Sequence, residues 1–368
     1  MRLAIDAVGV KSGGGATVLL QTLQAAVALD AIREITLLAS PTALREFTIP
    51  PHAKLRILDV ARAESSVGRI RWAFRGLERH VHRLNCNALL GFTGIGVAQR
   101  NCASVVFIQQ SLPYSRESLQ RCSLGLRLRM AVIRWMTRRS ACASHHVLVQ
   151  SEPMRETIAR DFQISRNAIS VFMPTAPVLP HPTADSPKLT GMQSAGGRGA
   201  LLYVGNDVPY KNLSIVAQGL QRMPEADRPD WYVTLSPESP VCRGGAAIGL
   251  GTLNGGELHE AYRRATLLVM PSMTETVGLP MLEAMRVGTP VLAADRPYAH
   301  AVCEDAAAFF SPLSPDDFAD KTARLLAEAE WRRALAVCGR ALIERRDALN
   351  PYCAMMEKVV EVAEARGR

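Results

Sequence analysis

The chain has 368 residues, 48% hydrophobic and 21% charged, which is enough length for two domains and an ordinary globular balance that excludes disorder, a collagen-like fibre or a small disulfide scaffold. Aromatic residues make up 5%, which leaves little material for a base-stacking nucleic-acid surface. The net charge of +9 is uneven: residues 1–180 carry 23 Lys/Arg against 11 Asp/Glu, and residues 181–368 carry 20 against 23, so the first half suits an anionic partner.

Residues 2–6 read as a buried strand, followed by the glycine turn Gly13-Gly14-Gly15 and an apolar helix over 17–29. Short apolar runs at 35–39, 54–58, 88–92, 104–108 and 147–150 read as further strands with helical patterns between them. Such alternation predicts an α/β fold, a parallel sheet with helices on both faces. From Pro174 to Gly199 proline and glycine crowd without periodicity, which reads as a single linker. Alternation then resumes with strands at 200–204, 231–235, 266–270 and 290–293 and helices at 214–221, 257–264 and 280–286. Two doubly wound domains are expected, with ligand in the crevice outside the carboxyl ends of their strands.

The eight cysteines are too scattered for a CxxC pair and read as reduced core thiols of a cytosolic protein. Arg2 and Asp6 interrupt the N-terminal apolar residues, so no signal peptide is expected. The longest uncharged apolar stretch, 84–99, has 16 residues and three glycines, too short and too broken to span a membrane.

Two segments carry chemistry. In 270–285 a strand ends at Met270, a loop follows, and Pro280 suits the first turn of a helix. Free amides around Gly278–Met281, with the helix dipole behind them, suit a diphosphate. Glu275 in the loop and Glu283 one turn into the helix can each accept two hydrogen bonds from a ribose or sugar diol. In 202–212, Gly205 and Asn206 follow a strand, and Lys211 stands before the next helix, where its ammonium can neutralise phosphate. Singly, Glu283 also reads as an ordinary helix acid and Lys211 as a surface charge; together they favour a site. The Gly13–Gly15 turn fits neither the dinucleotide fingerprint nor a P-loop, and is either a tight structural turn or a phosphate loop.

The basic half offers a helix with an apolar stripe of Ile70, Phe74, Leu77, Val81 and Leu84 and a row of Arg71, Arg75, Arg79 and Arg83. Residues 121–139 add Arg121, Arg127, Arg129, Arg134, Arg138 and Arg139, with no acid between them, around Leu126, Met130, Ile133 and Trp135. Such faces are either solvated or suited to an anionic bilayer or phosphorylated lipid-linked glycan. Nucleic acid is disfavoured by the absence of any binding motif.

The block PSMTETVGLPMLEAMRVGTPV, with Glu275 and Glu283 in an E-x7-E spacing, resembles the retaining nucleotide-sugar glycosyltransferases of family 4, which have the GT-B fold. YVGNDVPYKNL is similar to that family's second block, GGGATVLLQTL to its opening glycine loop, and VQSEPMRETIARDF to the segment before the last helix of its first domain. The resemblance implies an N-terminal acceptor-binding Rossmann-like domain at 1–175, a linker at 176–199, a nucleotide-sugar-binding domain at 200–346, and a C-terminal helix at 347–368 that packs back on the first domain. It implies donor contacts from Gly205, Asn206, Lys211, Glu275, Thr276, Val277, Gly278, Leu279 and Glu283, with Lys211 and Glu275 catalytic. Gly13, Gly14, Gly15 and Gln109 would face acceptor or phosphate. No metal or other cofactor is implied, because a cation and a helix dipole stabilise the leaving nucleoside diphosphate. Partners would be a nucleotide sugar, a glycan or lipid-linked acceptor, and an anionic membrane surface met by Arg71, Arg75, Arg79, Arg127, Arg134 and Arg138. The expected product is a bacterial surface polysaccharide or lipopolysaccharide precursor, made in the cytoplasm by a peripheral membrane protein. Three features depart from the family pattern: Asn206 and Tyr210 where arginine is common, Thr276-Val277 where Gly-Phe is usual, and Gln109 in place of a histidine. The alternative is a degenerate GT-B subunit that binds or scaffolds without catalysis.

Overall fold

A computed structural model describes residues 1–10, 13–61, 65–97, 101–192 and 198–367. Lys11 and Ser12 of the glycine turn and 193–197 of the expected linker lie outside them. The chain divides into two compact units. Unit one comprises Met1–Tyr114, Gly125–Pro174 and Leu349–Arg368; unit two comprises Ser115–Leu124 and Thr175–Ala348. The chain therefore passes between units four times.

Unit one holds seven parallel strands: β1 (Arg2–Asp6), β2 (Glu34–Ala39), β3 (Leu55–Asp59), β4 (Ala88–Gly91), β5 (Ala103–Ile108), β6 (His146–Val149) and β7 (Ile169–Val171), in the order β3-β2-β1-β4-β5-β6-β7. Every residue of β4, β5 and β6 is buried, the signature of strands covered on both faces, which is why they read as unbroken apolar runs. Order reverses between β1 and β4, so the loops at their carboxyl ends part and leave room for a ligand. The helix Pro351–Gly367 packs on Gly14–Ala28, β4 and β5, burying Tyr352, Met355, Met356 and Val359.

Unit two holds six parallel strands: β8 (Ala200–Tyr203), β9 (Asp230–Val233), β10 (Ile248–Gly249), β11 (Leu267–Met270), β12 (Val291–Ala294) and β13 (Ala307–Phe310), in the order β10-β9-β8-β11-β12-β13. Its reversal falls between β8 and β11. One core fills a face of this sheet: Leu201, Tyr203, Trp231, Val269 and Leu292 pack with Val216, Leu220 and Phe318 from the helices.

The helical stretch after β3 corrects the expected stripe. Ser66–Arg71 and Leu77–Leu84 are α-helical, but Trp72–Gly76 is a π-helical turn. One residue too many in a turn rotates everything beyond it by about 100° relative to what precedes it. Leu77 and Val81 are buried as expected, Leu84 is half-buried, and Ile70 and Phe74 are turned out at 40% and 39% exposure. Trp72 takes their place inside, its indole donating to Asp6 Oδ1 at 3.2 Å. Gly76 permits this, since a Cβ there would lie 2.7 Å from the Trp72 ring.

In the helix Leu124–Ala143 Met130 is buried, Leu126 and Ile133 are half-buried, and Trp135 is exposed. Leu128 and Val132 are exposed with it, and Trp135 stacks on Phe74 with 5.5 Å between ring centroids. Not all the cysteines are core thiols: Cys142 and Cys338 are exposed. Among the described residues no helix is long and apolar enough to cross a membrane.

Candidate active site

Two loops leave the carboxyl ends of β8 and β11, the strands at the reversal of the second sheet. The first carries Gly205, whose amide donates to Thr234 Oγ1 at 3.0 Å, and exposed Asn206, whose carbonyl accepts from the buried Tyr203 hydroxyl at 2.8 Å. It ends in a 3₁₀ turn, Pro209–Lys211. The second carries Glu275 and Thr276 and enters the helix Leu279–Val287 through Gly278. Gly278 has φ +76°, which favours glycine at this N-cap; no side chain caps the helix, Pro280 has no N–H, and the Met281 amide donates to Gly278 O at 2.9 Å. Met273 N donates to Tyr210 O at 2.8 Å and ties the loops together.

Lys211 Nζ donates to Glu275 Oε1 at 2.5 Å, with the two side chains only 12% and 15% exposed. Burial opposes the lysine's charge, but Glu275 outweighs it and holds the ammonium above its ordinary pKa. An ammonium and a carboxylate thus stand side by side beside the helix N-terminus: one matches phosphate, the other sugar hydroxyls. Val277 is buried, and Thr276 before it is half-buried.

Glu283 differs from expectation. Its carboxyl is buried and accepts from the Tyr262 hydroxyl at 2.7 Å. Burial pushes its pKa up, and the Tyr262 bond only partly offsets this. Tyr262, fully buried in the helix Gly255–Arg264, is the partner that sequence reasoning missed. It sits on a helix whose pattern marked it only as core.

In unit one a cavity of about 350 Å³ opens at the carboxyl ends of β1, β4 and β5. Gly9, Val10, Gly15, Thr93, Gly94, Gln109, Gln110, Tyr114, Arg69 and Arg129 are among its lining residues. Gly15 and Gln109 of the expected acceptor set are thereby brought together. Gly13, with φ +77°, precedes the helix Gly14–Ala28. Gln109 spends one amide proton on Phe92 O at 2.7 Å. Beneath lies Asp6, wholly buried at the end of β1, its carboxyl pushed up from 3.8 to about 7 by burial against the pull of Trp72 and the Val8 amide.

Of the six arginines expected to face a membrane, Arg71, Arg75, Arg79, Arg127 and Arg138 are exposed, and Arg134 pairs with Asp161 at 2.9 Å. The stretch without acids is answered by one from a neighbouring helix.

Residues 246–341 match the sequence profile of the family described as Glycosyl transferases group 1. The chain is 30% identical over 159 residues to the sulfoquinovosyl transferase SQD2 of Arabidopsis thaliana, covering 40% of this chain and 30% of that protein. It is 26% identical over 209 residues to O-antigen chain mannosyltransferase B of Escherichia coli, covering 53% and 55%. It thus spans between about a fifth and about half of the length of the curated relatives it matches. Two solved structures share the fold along nearly the whole length: sucrose-phosphate synthase of Thermosynechococcus elongatus, with a TM-score of 0.74 at 17% identity and 99% of each chain covered, and WaaG, described as a glycosyltransferase involved in lipopolysaccharide biosynthesis, with 0.73 at 16% and 98% and 99% covered. Anabaena HepE, solved with UDP-glucose, aligns with a TM-score of 0.68 at 15% identity, covering 99% and 100%. The protein has the GT-B fold, and the part of it that carries Glu275, Gly278 and Glu283 lies within the stretch that matches the profile described as Glycosyl transferases group 1.

Proposed function

We propose that the protein is a retaining glycosyltransferase that moves a sugar from a nucleoside-diphosphate sugar to a glycan acceptor, a precursor of a bacterial surface polysaccharide or lipopolysaccharide. The observation that carries this reading is the half-buried Lys211–Glu275 pair at 2.5 Å, held on the two loops at the strand reversal. Lys211 and the amides from Gly278 onward take the diphosphate, Glu275 and the 276–278 backbone take the sugar, and Glu283, held by Tyr262, takes the ribose diol. The bond from the anomeric carbon to the diphosphate breaks with its electron pair passing to the diphosphate. The acceptor hydroxyl bonds to that carbon on the same face and gives its proton to the departing phosphate oxygen. Lys211 and the helix dipole stabilise the growing negative charge without a metal.

The acceptor lies in the unit-one cavity, whose amides and hydroxyls suit sugar hydroxyls and whose Arg69 and Arg129 suit an acidic group. The exposed arginines, with Phe74, Leu128, Val132 and Trp135 standing out among them, support docking on an anionic membrane surface from the cytoplasmic side. The O-antigen and lipopolysaccharide proteins among its relatives support the acceptor class. A panel of nucleotide sugars tests the reading by thermal shift, since a ligand at ~100 times its dissociation constant adds ~2.7 kcal/mol of stability. A panel in which none raises the melting temperature overturns it.

A further inference from the structure

Residues 115–124 lie in sequence between two stretches of unit one, yet they pack with unit two. The short helix Arg116–Gln120, capped by Ser115, rests on the Pro209–Lys211 turn. Two polar ties fix it there. Arg121 Nη1 donates to Asn212 Oδ1 at 3.0 Å, and Arg296 Nη2 donates to Glu117 Oε1 at 2.8 Å. Arg296 also reaches Met273 Sδ at 3.7 Å, and Met273 is joined by its amide to Tyr210. One tie therefore ends on the residue after Lys211 and the other beside the loop that carries Glu275.

Asn212 is the telling residue. It precedes the helix Leu213–Arg222 at a position where asparagine is a favoured cap, yet its side chain makes no capping bond. Its carboxamide is spent elsewhere, Oδ1 on Arg121 and Nδ2 on Pro312 O at 2.9 Å. It is buried and holds φ +57°, a left-handed conformation that asparagine tolerates. A side chain pinned at both ends fixes the turn before it, and that turn presents Lys211.

We infer that residues 115–124 brace the donor loops, and that Arg121 is a positioning residue for Lys211, acting through Asn212. The inference rests on the reading of Lys211 as the diphosphate cation. It also supplies what the exposed Asn206 does not, an arginine engaged with the phosphate loop, drawn from a different part of the chain.

A mutant cycle tests it, with UDP-glucose and GDP-mannose as probes for hydrolysis. Asn212→Gly removes the carboxamide and keeps the left-handed backbone accessible. Arg121→Ala and Asn212→Gly should each lower kcat at least about tenfold with a smaller change in KM, and the double variant should be no worse than the poorer single, because both remove one coupled element. A purely structural role would lower the melting temperature and leave kcat per folded molecule unchanged. Effects that multiply, or an Arg121→Ala kcat within twofold of the parent, overturn the inference. Amide hydrogen exchange at 209–213 gives a readout that needs no substrate: it should quicken in Arg121→Ala, and unchanged exchange there overturns the brace. A parent that hydrolyses neither probe and binds no nucleotide sugar would instead remove the donor reading.

Discussion

The carboxyl ends of the two sheets are built from the same topology and opposite chemistry. In unit two the loops after β8 and β11 hold charges in contact, Lys211 with Glu275, and beneath them Glu283 with Tyr262. In unit one the loops after β1, β4 and β5 surround an open cavity lined largely by amides, hydroxyls and glycine, with the carboxyl of Asp6 sealed below. The contrast separates two ways of preparing for a ligand. Charges fixed in place before binding need no reorganisation when negative charge develops on a diphosphate. A polar, roomy cavity with Arg69 and Arg129 in its lining suits a substrate made of hydroxyls that also carries an acidic group, and most of it must be oriented rather than neutralised.

The sharpest way to break this contrast is to remove the preset charge. Lys211→Ala should lower kcat by 10²–10³ or more, since one preorganised stabiliser is lost and Asn206 offers no second cation. It should also cost ~1–3 kcal/mol of stability, because Glu275 is left half-buried without its partner. Adding Glu275→Leu to Lys211→Met should restore the stability without restoring transfer, while Asn206→Arg in the Lys211→Ala background should recover part of the rate. If Lys211→Ala keeps kcat within a few-fold of the parent, the cation lies elsewhere.

Asp6 tests the other side. Its folded pKa of about 7 lies above the ordinary 3.8, so its contribution is fully present below about 3.8 and is lost as pH rises through about 7. A shift of that size opposes folding by up to ~4 kcal/mol above pH 7. Asp6→Asn keeps an acceptor for Trp72 and carries no charge, so it should raise the melting temperature at pH 8 and leave it nearly unchanged at pH 4. Equal effects at both pH values would show that the carboxyl does not titrate in this range.

Glu283 sharpens the comparison within unit two. Glu283→Gln should weaken nucleoside-diphosphate binding by ~1.5–3 kcal/mol through loss of a charged acceptor, with the fold kept because an amide still accepts from Tyr262. Glu283→Ala should add a stability loss of ~1–3 kcal/mol, since the Tyr262 hydroxyl is left buried and unpaired. Unchanged affinity in calorimetry for both variants would remove the ribose assignment. The smallest expected effect is none: transfer should persist in excess EDTA, and complete loss restored by Mg²⁺ or Mn²⁺ would mean that Lys211 and the helix dipole do not suffice.

Most of this architecture was legible because parallel strands covered on both faces leave short apolar runs, and β1, β4, β5, β8 and β11 are such runs. β7 and β10, three and two residues long, carry too little pattern to read. The loop residues were legible through chemistry, since Gly-Leu-Pro opening a helix with acids eight residues apart has few other uses. Partnerships were not. Nothing local tells Tyr262 to face Glu283, or Arg121 to reach Asn212 some ninety positions away. Likewise the π-helical turn at Trp72–Gly76 inserts its extra residue without any proline or special spacing to announce it, so a regular stripe was read where the helix changes phase.

The helix Pro351–Gly367 sets the order in which the molecule can be completed. It covers β4 and β5 of unit one, but the ribosome makes it only after all of 175–348, on the order of ten seconds or more after Pro174 emerges. Unit two can therefore close first, while the seats of Tyr352, Met355, Met356 and Val359 on unit one stay open to water. A nascent chain in that interval carries an apolar scar that only its own later residues can cover. Release at 348 would leave the scar for good, so such a fragment should bind chaperones or aggregate even though every strand of both sheets is present.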